Sequence, residues 1–237
     1  MEHKRLTVFA GHYGSGKTNL AVNYALHLAG EGKRVVIADL DIVNPYFRTK
    51  DSERELREAG VTVISPRFAS SNVDLPALPP ETYRLISDRS VYGIIDLGGD
   101  DRGAYALGRF ADAIREENDF RMALVWSCYR PMTESTLDTL GIISEIEAAA
   151  HLPFTDIVNN SNLGIESTAR SFLASLPLAE ELSRETGLPI WFHAAEAEVA
   201  RELRGIEVLP MTLQRKPCCS FHAAREENTY ESGYFSK

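Results

Sequence analysis

Cysteine is scarce in this chain. The 237 residues hold three, Cys128 and the adjacent pair Cys218 and Cys219. Thiols so few and so spaced cannot frame a disulfide-held domain. With no second Cys pair they also fall short of a structural zinc set, and Cys218, Cys219 and His222 make an incomplete ligand group in a polar tail. Long apolar runs are missing as well. No stretch approaches the roughly 20 apolar residues of a membrane helix. Met1 to Arg5 is polar, with no leader-type apolar region and no lipidation signal, so a cytoplasmic location is the expectation. Positive charge is in deficit: 25 Lys and Arg against 34 Asp and Glu give a formal net charge of −9. That balance argues against a broad DNA- or RNA-coating surface, while a nucleotide pocket needs one or two cations at most. Internal repeats, low-complexity tracts and an interdomain linker are absent too. The stretch from Gln214 to Lys237 mixes charges without the apolar stripe of a membrane-surface helix.

What is present is an ordinary globular composition, 44% hydrophobic and 25% charged, arranged in alternating short apolar runs and longer amphipathic ones. Strands are expected at 6–10, 35–39, 61–64, 92–97, 122–128, 156–159, 189–193 and 207–211. Helices are expected at 19–30, 52–59, 103–117, 134–150, 167–175, 178–186 and 195–204, with a break at Pro177. Residues 65–80 carry several prolines and little periodicity, which reads as a long surface loop. This alternation predicts an α/β fold: a single doubly wound, mostly parallel sheet with helices on both faces. The whole of 1–237 reads as one domain, with 212–237 a polar C-terminal tail. Ligands in such sheets bind beyond the carboxyl ends of the strands.

The strongest motif sits at the end of the first expected strand. Gly11-His12-Tyr13-Gly14-Ser15-Gly16-Lys17-Thr18, followed by Asn19 at the helix start, matches G-x-x-x-x-G-K-[ST], the Walker A P-loop. Its glycines let the backbone aim several N–H groups inward as an anion nest, and the following helix adds its positive end. Lys17 is placed for the β and γ phosphates and the Thr18 hydroxyl for Mg²⁺. A nucleoside triphosphatase also needs a carboxylate on the metal and a group to orient water. Asp96 closes the fourth expected strand and opens Asp96-Leu97-Gly98-Gly99, where Gly99 lets its backbone N–H approach the terminal phosphate. Asp39 and Asp41 end the second strand on one face, positions suited to water orientation, metal contact or capping.

With these residues in hand, the chain resembles the MinD/ParA/CobQ-type P-loop proteins (the CobQ/CobB/MinD/ParA nucleotide-binding domain), a branch that also holds the nitrogenase iron protein and dethiobiotin synthetase. The resemblance runs from the P-loop through Asp39-Leu40-Asp41-Ile42 and Asp96-Leu97-Gly98-Gly99 to Asn159-Asn160. It implies that Asp41 is the switch I aspartate, activating water and reaching the metal. It implies Asp96 as the Walker B aspartate and Asn160 as an adenine reader. Residues 41–48 then look like a switch I segment. Many members carry a signature lysine early in the P-loop that reaches the partner subunit's phosphates in a nucleotide-sandwich dimer. Here His12 holds that position, so a homodimer is possible without being implied, and Arg48, Arg67 or Arg102 are candidates for the missing charge. The string Gly-Ser-Gly-Lys-Thr also resembles nickel-insertion GTPases, but the guanine-reading N-K-x-D is absent, and Asn159-Asn160-Ser161-Asn162 offers amides suited to adenine. The expectation is a Mg²⁺-dependent ATP-binding protein and ATPase that binds ATP and ADP and switches an unidentified protein partner. An ATP-dependent ligase or kinase for a small-molecule acceptor is the alternative, its pocket lined by 65–80 and 129–135. A sensor that binds ATP without hydrolysing it is a third. No nucleic-acid or membrane partner is expected.

Overall fold

The computed structural model describes residues 1–40, 49–64, 80–99 and 101–213. β1 (Leu6–Ala10) is buried along its whole length and feeds α1 (Lys17–Gly30). There follow β2 (Val35–Leu40), a 3₁₀ turn at Thr49–Ser52, α2 (Glu53–Glu58), β3 (Thr62–Ile64) and α3 (Pro80–Ser87). Next come β4 (Tyr92–Leu97), α4 (Asp101–Gly108), α5 (Ala111–Glu117), β5 (Phe120–Trp126) and α6 (Thr136–Ala150). β6 (Asp156–Asn159), a 3₁₀ turn at Gly164–Glu166, α7 (Ala169–Thr186), β7 (Ile190–Glu196), α8 (Ala197–Glu202) and β8 (Val208–Met211) complete the series. The strands form one eight-stranded sheet in the order β3-β2-β4-β1-β5-β6-β7-β8, and every pairing is parallel. This is the α/β fold that the alternation predicts, a single parallel sheet with helices on both faces.

Strand alternation divides the core into two layers. Leu6, Val8 and Ala10 of β1 join Ile95, Leu97, Leu124 and Trp126 beneath α3 to α7, through Leu85, Leu107, Ile114, Ile143 and Leu182. Phe9 joins Ile37, Ile94, Val125 and Val158 on the other face, covered by Leu20, Tyr24 and Leu28 of α1 and Leu56 of α2. A smaller cluster of Phe172, Ala195, Val199 and Leu203 seats α8. Among the described residues no helix is long and apolar enough to cross a membrane.

Three departures from the sequence expectation have physical causes. α3 emerges from the end of the proline-rich run, where Pro80 serves as a first-turn residue and Leu85 and Ile86 bury. The expected helix 103–117 divides into α4 and α5 at Arg109 and Phe110: Gly108 packs so closely on α6 that a Cβ would lie 2.9 Å from the Ala149 carbonyl oxygen. Conversely, α7 runs unbroken through Pro177. An interior proline costs about 3 kcal/mol in propensity, but Phe172 and Ser175 before it and Ala179 and Leu182 after it are all buried on one face, and that shared burial carries the helix through.

Arg5 ties the start of β1 to two helix ends. Its side chain is almost fully buried; Nε donates to Glu117 Oε1 at 2.5 Å and the guanidinium donates to the carbonyls of Leu85 (3.1 Å) and Ile86 (2.8 Å) at the last turn of α3. Glu117 also accepts from the exposed Arg89 at 3.0 Å. Removing one partner of a buried pair costs about 3–5 kcal/mol, whereas an exposed partner is worth about 1 kcal/mol or less. Arg5→Ala is therefore expected to lower unfolding free energy in a urea titration by about 3 kcal/mol, and Arg89→Ala by less than about 1 kcal/mol.

Candidate nucleotide-binding site

The segment joining β1 to α1 turns sharply, and its glycines carry the turn. Gly11, Gly14 and Gly16 have φ of 147°, 77° and 87°, in the region that favours glycine. Gly16 is the N-cap of α1, and a Cβ there would lie 2.4 Å from Asn160 Nδ2. At Gly11 a Cβ would lie 2.6 Å from the Val125 carbonyl oxygen. The loop is thus pressed against β5 on one side and the end of β6 on the other, with no room for a methyl at either point. Asn160 Nδ2 donates to the Ser15 carbonyl at 2.7 Å, and Asn162 Nδ2 in turn donates to Asn160 Oδ1 at 2.6 Å.

Inside the loop Lys17 is buried, and its Nζ donates to the His12 carbonyl at 3.0 Å. The Ser15 hydroxyl is buried with no hydrogen-bond partner among the described residues. A buried hydroxyl without a partner costs about 1–3 kcal/mol, so the loop is built to receive a polar ligand. The glycine turns, the lysine and this hydroxyl fit a phosphate chain.

The second wall is the loop after β4. Asp96 is fully buried, and parallel pairing sets it beside Phe9 of β1 and opposite Asp39 of β2, which is also buried. Both carboxylates lie on the α1 side, since their neighbours Ile37 and Ile94 belong to that core layer. Gly99 abuts the P-loop: a Cβ would lie 2.8 Å from both Tyr13 Cα and its nitrogen, and 3.1 Å from Lys17 Nζ. Gly103 in α4 packs as tightly, 3.0 Å from the Gly98 nitrogen and 3.1 Å from the Leu40 carbonyl oxygen by the same measure. The structure thus brings the P-loop, Asp96, Gly99 and Asn160 to one edge of the sheet. Thr18 and Asn19 stand in the first turn of α1, half-buried, and the exposed Tyr13 faces outward. Asp41, Arg48, Arg67 and the tail residues Cys218, Cys219 and His222 lie outside the described residues, as does the side chain of Arg102.

Two site residues were not singled out by sequence reasoning, although Arg130 falls within the 129–135 run read as lining an acceptor pocket. Thr49, directly after the 41–48 run, is fully buried and donates its hydroxyl to Asp96 Oδ2 at 3.2 Å. Arg130 lies beside the P-loop, with Nε 3.8 Å from where a Gly14 Cβ would sit. Its turn is tightly knit: Thr133 Oγ1 donates to the Ser127 and Arg130 carbonyls at 2.7 and 3.0 Å, and Trp126 Nε1 donates to the Thr133 carbonyl at 3.1 Å. Arg130 follows the carboxyl end of β5 by four residues, and that position on the ligand edge was the available signal. Burial, and then the Lys17 ammonium, hold the His12 ring below the ordinary imidazole pKa, which disfavours a charge there. Among the described residues, Arg130 is a cation set beside the loop.

No protein-family model matches the chain, and no curated protein matches it. Solved structures do. The cell division protein FtsY of Thermotoga maritima is 21% identical with a TM-score of 0.57, over 80% of this chain and 61% of that one. The signal recognition particle receptor FtsY of Elizabethkingia anophelis in complex with GDP is 16% identical with a TM-score of 0.52, over 82% and 58%. FtsY of Mycoplasma mycoides is 15% identical with a TM-score of 0.52, over 80% and 59%. The match spans about three fifths of those chains, and at these identities it establishes the shared fold.

Arg130→Ala is expected to weaken nucleotide affinity tenfold or more, since a charge-assisted hydrogen bond contributes about 1.5–3 kcal/mol. Titration with a fluorescent nucleotide measures it, and an unchanged affinity would remove Arg130 from the site.

Proposed function

We propose that this chain is a Mg²⁺-dependent ATPase whose nucleotide state sets the arrangement of residues 41–50, and through them a partner-binding surface. The contact from Thr49 to Asp96 carries this reading. It joins the end of the switch-like run to the carboxylate that the MinD/ParA/CobQ resemblance names as Walker B, so anything that draws on Asp96 is felt at Thr49. The bound Mg²⁺ and triphosphate supply the charge and the phosphoanhydride bond on which these residues act.

Each remaining part has a role in the chain's own chemistry. Lys17 and the inward N–H groups of the P-loop neutralise and hold the phosphates, and Thr18 and Asp96 hold the metal. Gly99 offers its backbone N–H beside Lys17, and Asp41 orients the attacking water. Arg130 supplies in cis the charge that the family's signature lysine supplies across a dimer, so phosphate binding does not demand a second subunit. Asn160 has two amide hydrogens; one holds Ser15, and the other is available to a base-ring acceptor.

Adenine is favoured because residues 159–162 are amides and a hydroxyl, while guanine's adjacent N–H donors call for a carboxylate. The neighbour that binds GDP makes GTP the competing choice. In thermal-shift measurements with Mg²⁺, ATP is expected to raise the melting temperature well above GTP at equal concentration; a ligand at 100 times its dissociation constant adds about 2.7 kcal/mol. Stronger stabilisation by GTP would reverse the base assignment.

Catalysis has its own test. Lys17→Ala is expected to lose ATP binding, whereas Asp41→Asn is expected to bind ATP and release phosphate at a tenth of the rate or less, in line with the 10²–10⁴-fold worth of a positioned base. Full turnover by Asp41→Asn would show that another group orients the water.

A further inference from the structure

At the opposite end of α1 from the P-loop, about 21 Å away along the helix at 1.5 Å per residue, three metal-ligating side chains converge. His27 lies in the last turn of α1, Glu31 is its C-cap, and His3 comes from the segment leading into β1. His3 Nε2 lies 3.3 Å from Glu31 Oε2, and His27 Nε2 lies 3.3 Å from Glu31 Oε1. One ligand atom from each residue falls within 4.8 Å of the other two. We infer that His3, His27 and Glu31 form a binding site for one first-row divalent transition ion, with Zn²⁺ the best fit.

The two 3.3 Å approaches are to different oxygens of Glu31, and taken one atom per residue the three ligands lie within 4.8 Å of one another, a loose cluster that a bound ion would draw together. Zn–N and Zn–O bonds of about 2.0–2.1 Å at a tetrahedral angle put neighbouring ligand atoms about 3.3–3.4 Å apart. Two imidazoles and one carboxylate are a borderline set that suits zinc, and three protein ligands leave the fourth position to water. The ring of His3 is also oriented from behind. Its Nδ1 lies 2.9 Å from the hydroxyl of the fully buried Tyr24. When Nδ1–H donates to that oxygen, the Nε2 lone pair is left facing Glu31 and His27, which is how a second polar group sets the tautomer of a ligating histidine. The carbonyl end of α1 adds partial negative charge beside the site.

Two histidines ion-paired to one glutamate is the competing account, and metal titration separates the two. The full chain, free of nucleotide and Mg²⁺, is titrated with Zn²⁺ by calorimetry and with Co²⁺ by absorption. The expected result is one Zn²⁺ bound per chain at this site and a Co²⁺ spectrum without a thiolate charge-transfer band, which sets the site apart from Cys128, Cys218 and Cys219. His27→Ala and Glu31→Gln, both on the accessible end of α1, are expected to weaken that binding tenfold or more while ATP affinity stays unchanged. Tyr24→Phe, which keeps the packed ring, is expected to weaken it about 10- to 100-fold. Zn²⁺ binding that both ligand variants leave intact, a purely thiolate Co²⁺ spectrum, or no Zn²⁺ binding at all overturns the proposal.

Discussion

A loop that turns its N–H groups inward to meet phosphate turns its carbonyls outward, and a carbonyl turned toward the protein needs a donor. For Ser15 that donor is Asn160, at 2.7 Å, and the shape of the whole nucleotide site rests on it. Asn160 follows directly on β6, two strands from β1, so a loop encoded near the start of the chain is held by a residue from its second half. The support goes deeper. The Asn159 side chain donates to Ser175 Oγ at 2.9 Å, pairs with His193 Nδ1 at 3.2 Å, and accepts from the Ser161 backbone and hydroxyl. Ser161 Oγ in turn accepts from the Cys128 nitrogen at 3.1 Å. This connected polar network joins β5, β6, β7 and α7 behind the P-loop, and such networks are stiff when every member is satisfied.

The parallel sheet sets the electrostatics by delivering every strand's carboxyl end to one edge. Asp39 and Asp96 arrive side by side from β2 and β4. Lys17 arrives at the head of α1, and Arg130 arrives from the turn after β5. Two buried carboxylates and two cations gathered with a glycine-lined loop at one sheet edge suit a metal bound to a polyanion. Thr49 on Asp96 extends that charge arrangement into the chain that follows residues 41–48. The His3, His27 and Glu31 cluster sits at the far end of the same helix, so α1 carries an anion-seeking end and a cation-seeking end, as its dipole favours.

Much of this was legible in the sequence because it depends on local chemistry. The strands at 6–10 and 156–159 stand where apolar runs bounded by turns placed them. The P-loop motif states its own backbone needs through Gly11, Gly14 and Gly16, whereas the packing of Gly99 on the loop is a tertiary contact. What escaped were features settled by competition between local preference and packing. α3 is short and follows a proline-rich run, and α7 keeps its course through Pro177 because its buried face outweighs the missing hydrogen bond. Arg130, Thr49 and the histidine cluster carry no motif, since their meaning lies in neighbours elsewhere along the chain, such as Asp96 for Thr49, Gly14 for Arg130 and His3 for His27.

The sequence by itself determined the fold class and the candidate phosphate loop, because period-2 and period-3.6 patterning and a glycine-lysine-threonine loop act over a few residues at a time. Tertiary structure alone decided which side chains complete the site. It set Asn160 to holding the loop, it placed Arg130 beside Gly14, and it closed Thr49 onto Asp96. Strand order and burial bring those groups within hydrogen-bond reach, and neither is written in the spacing along the chain.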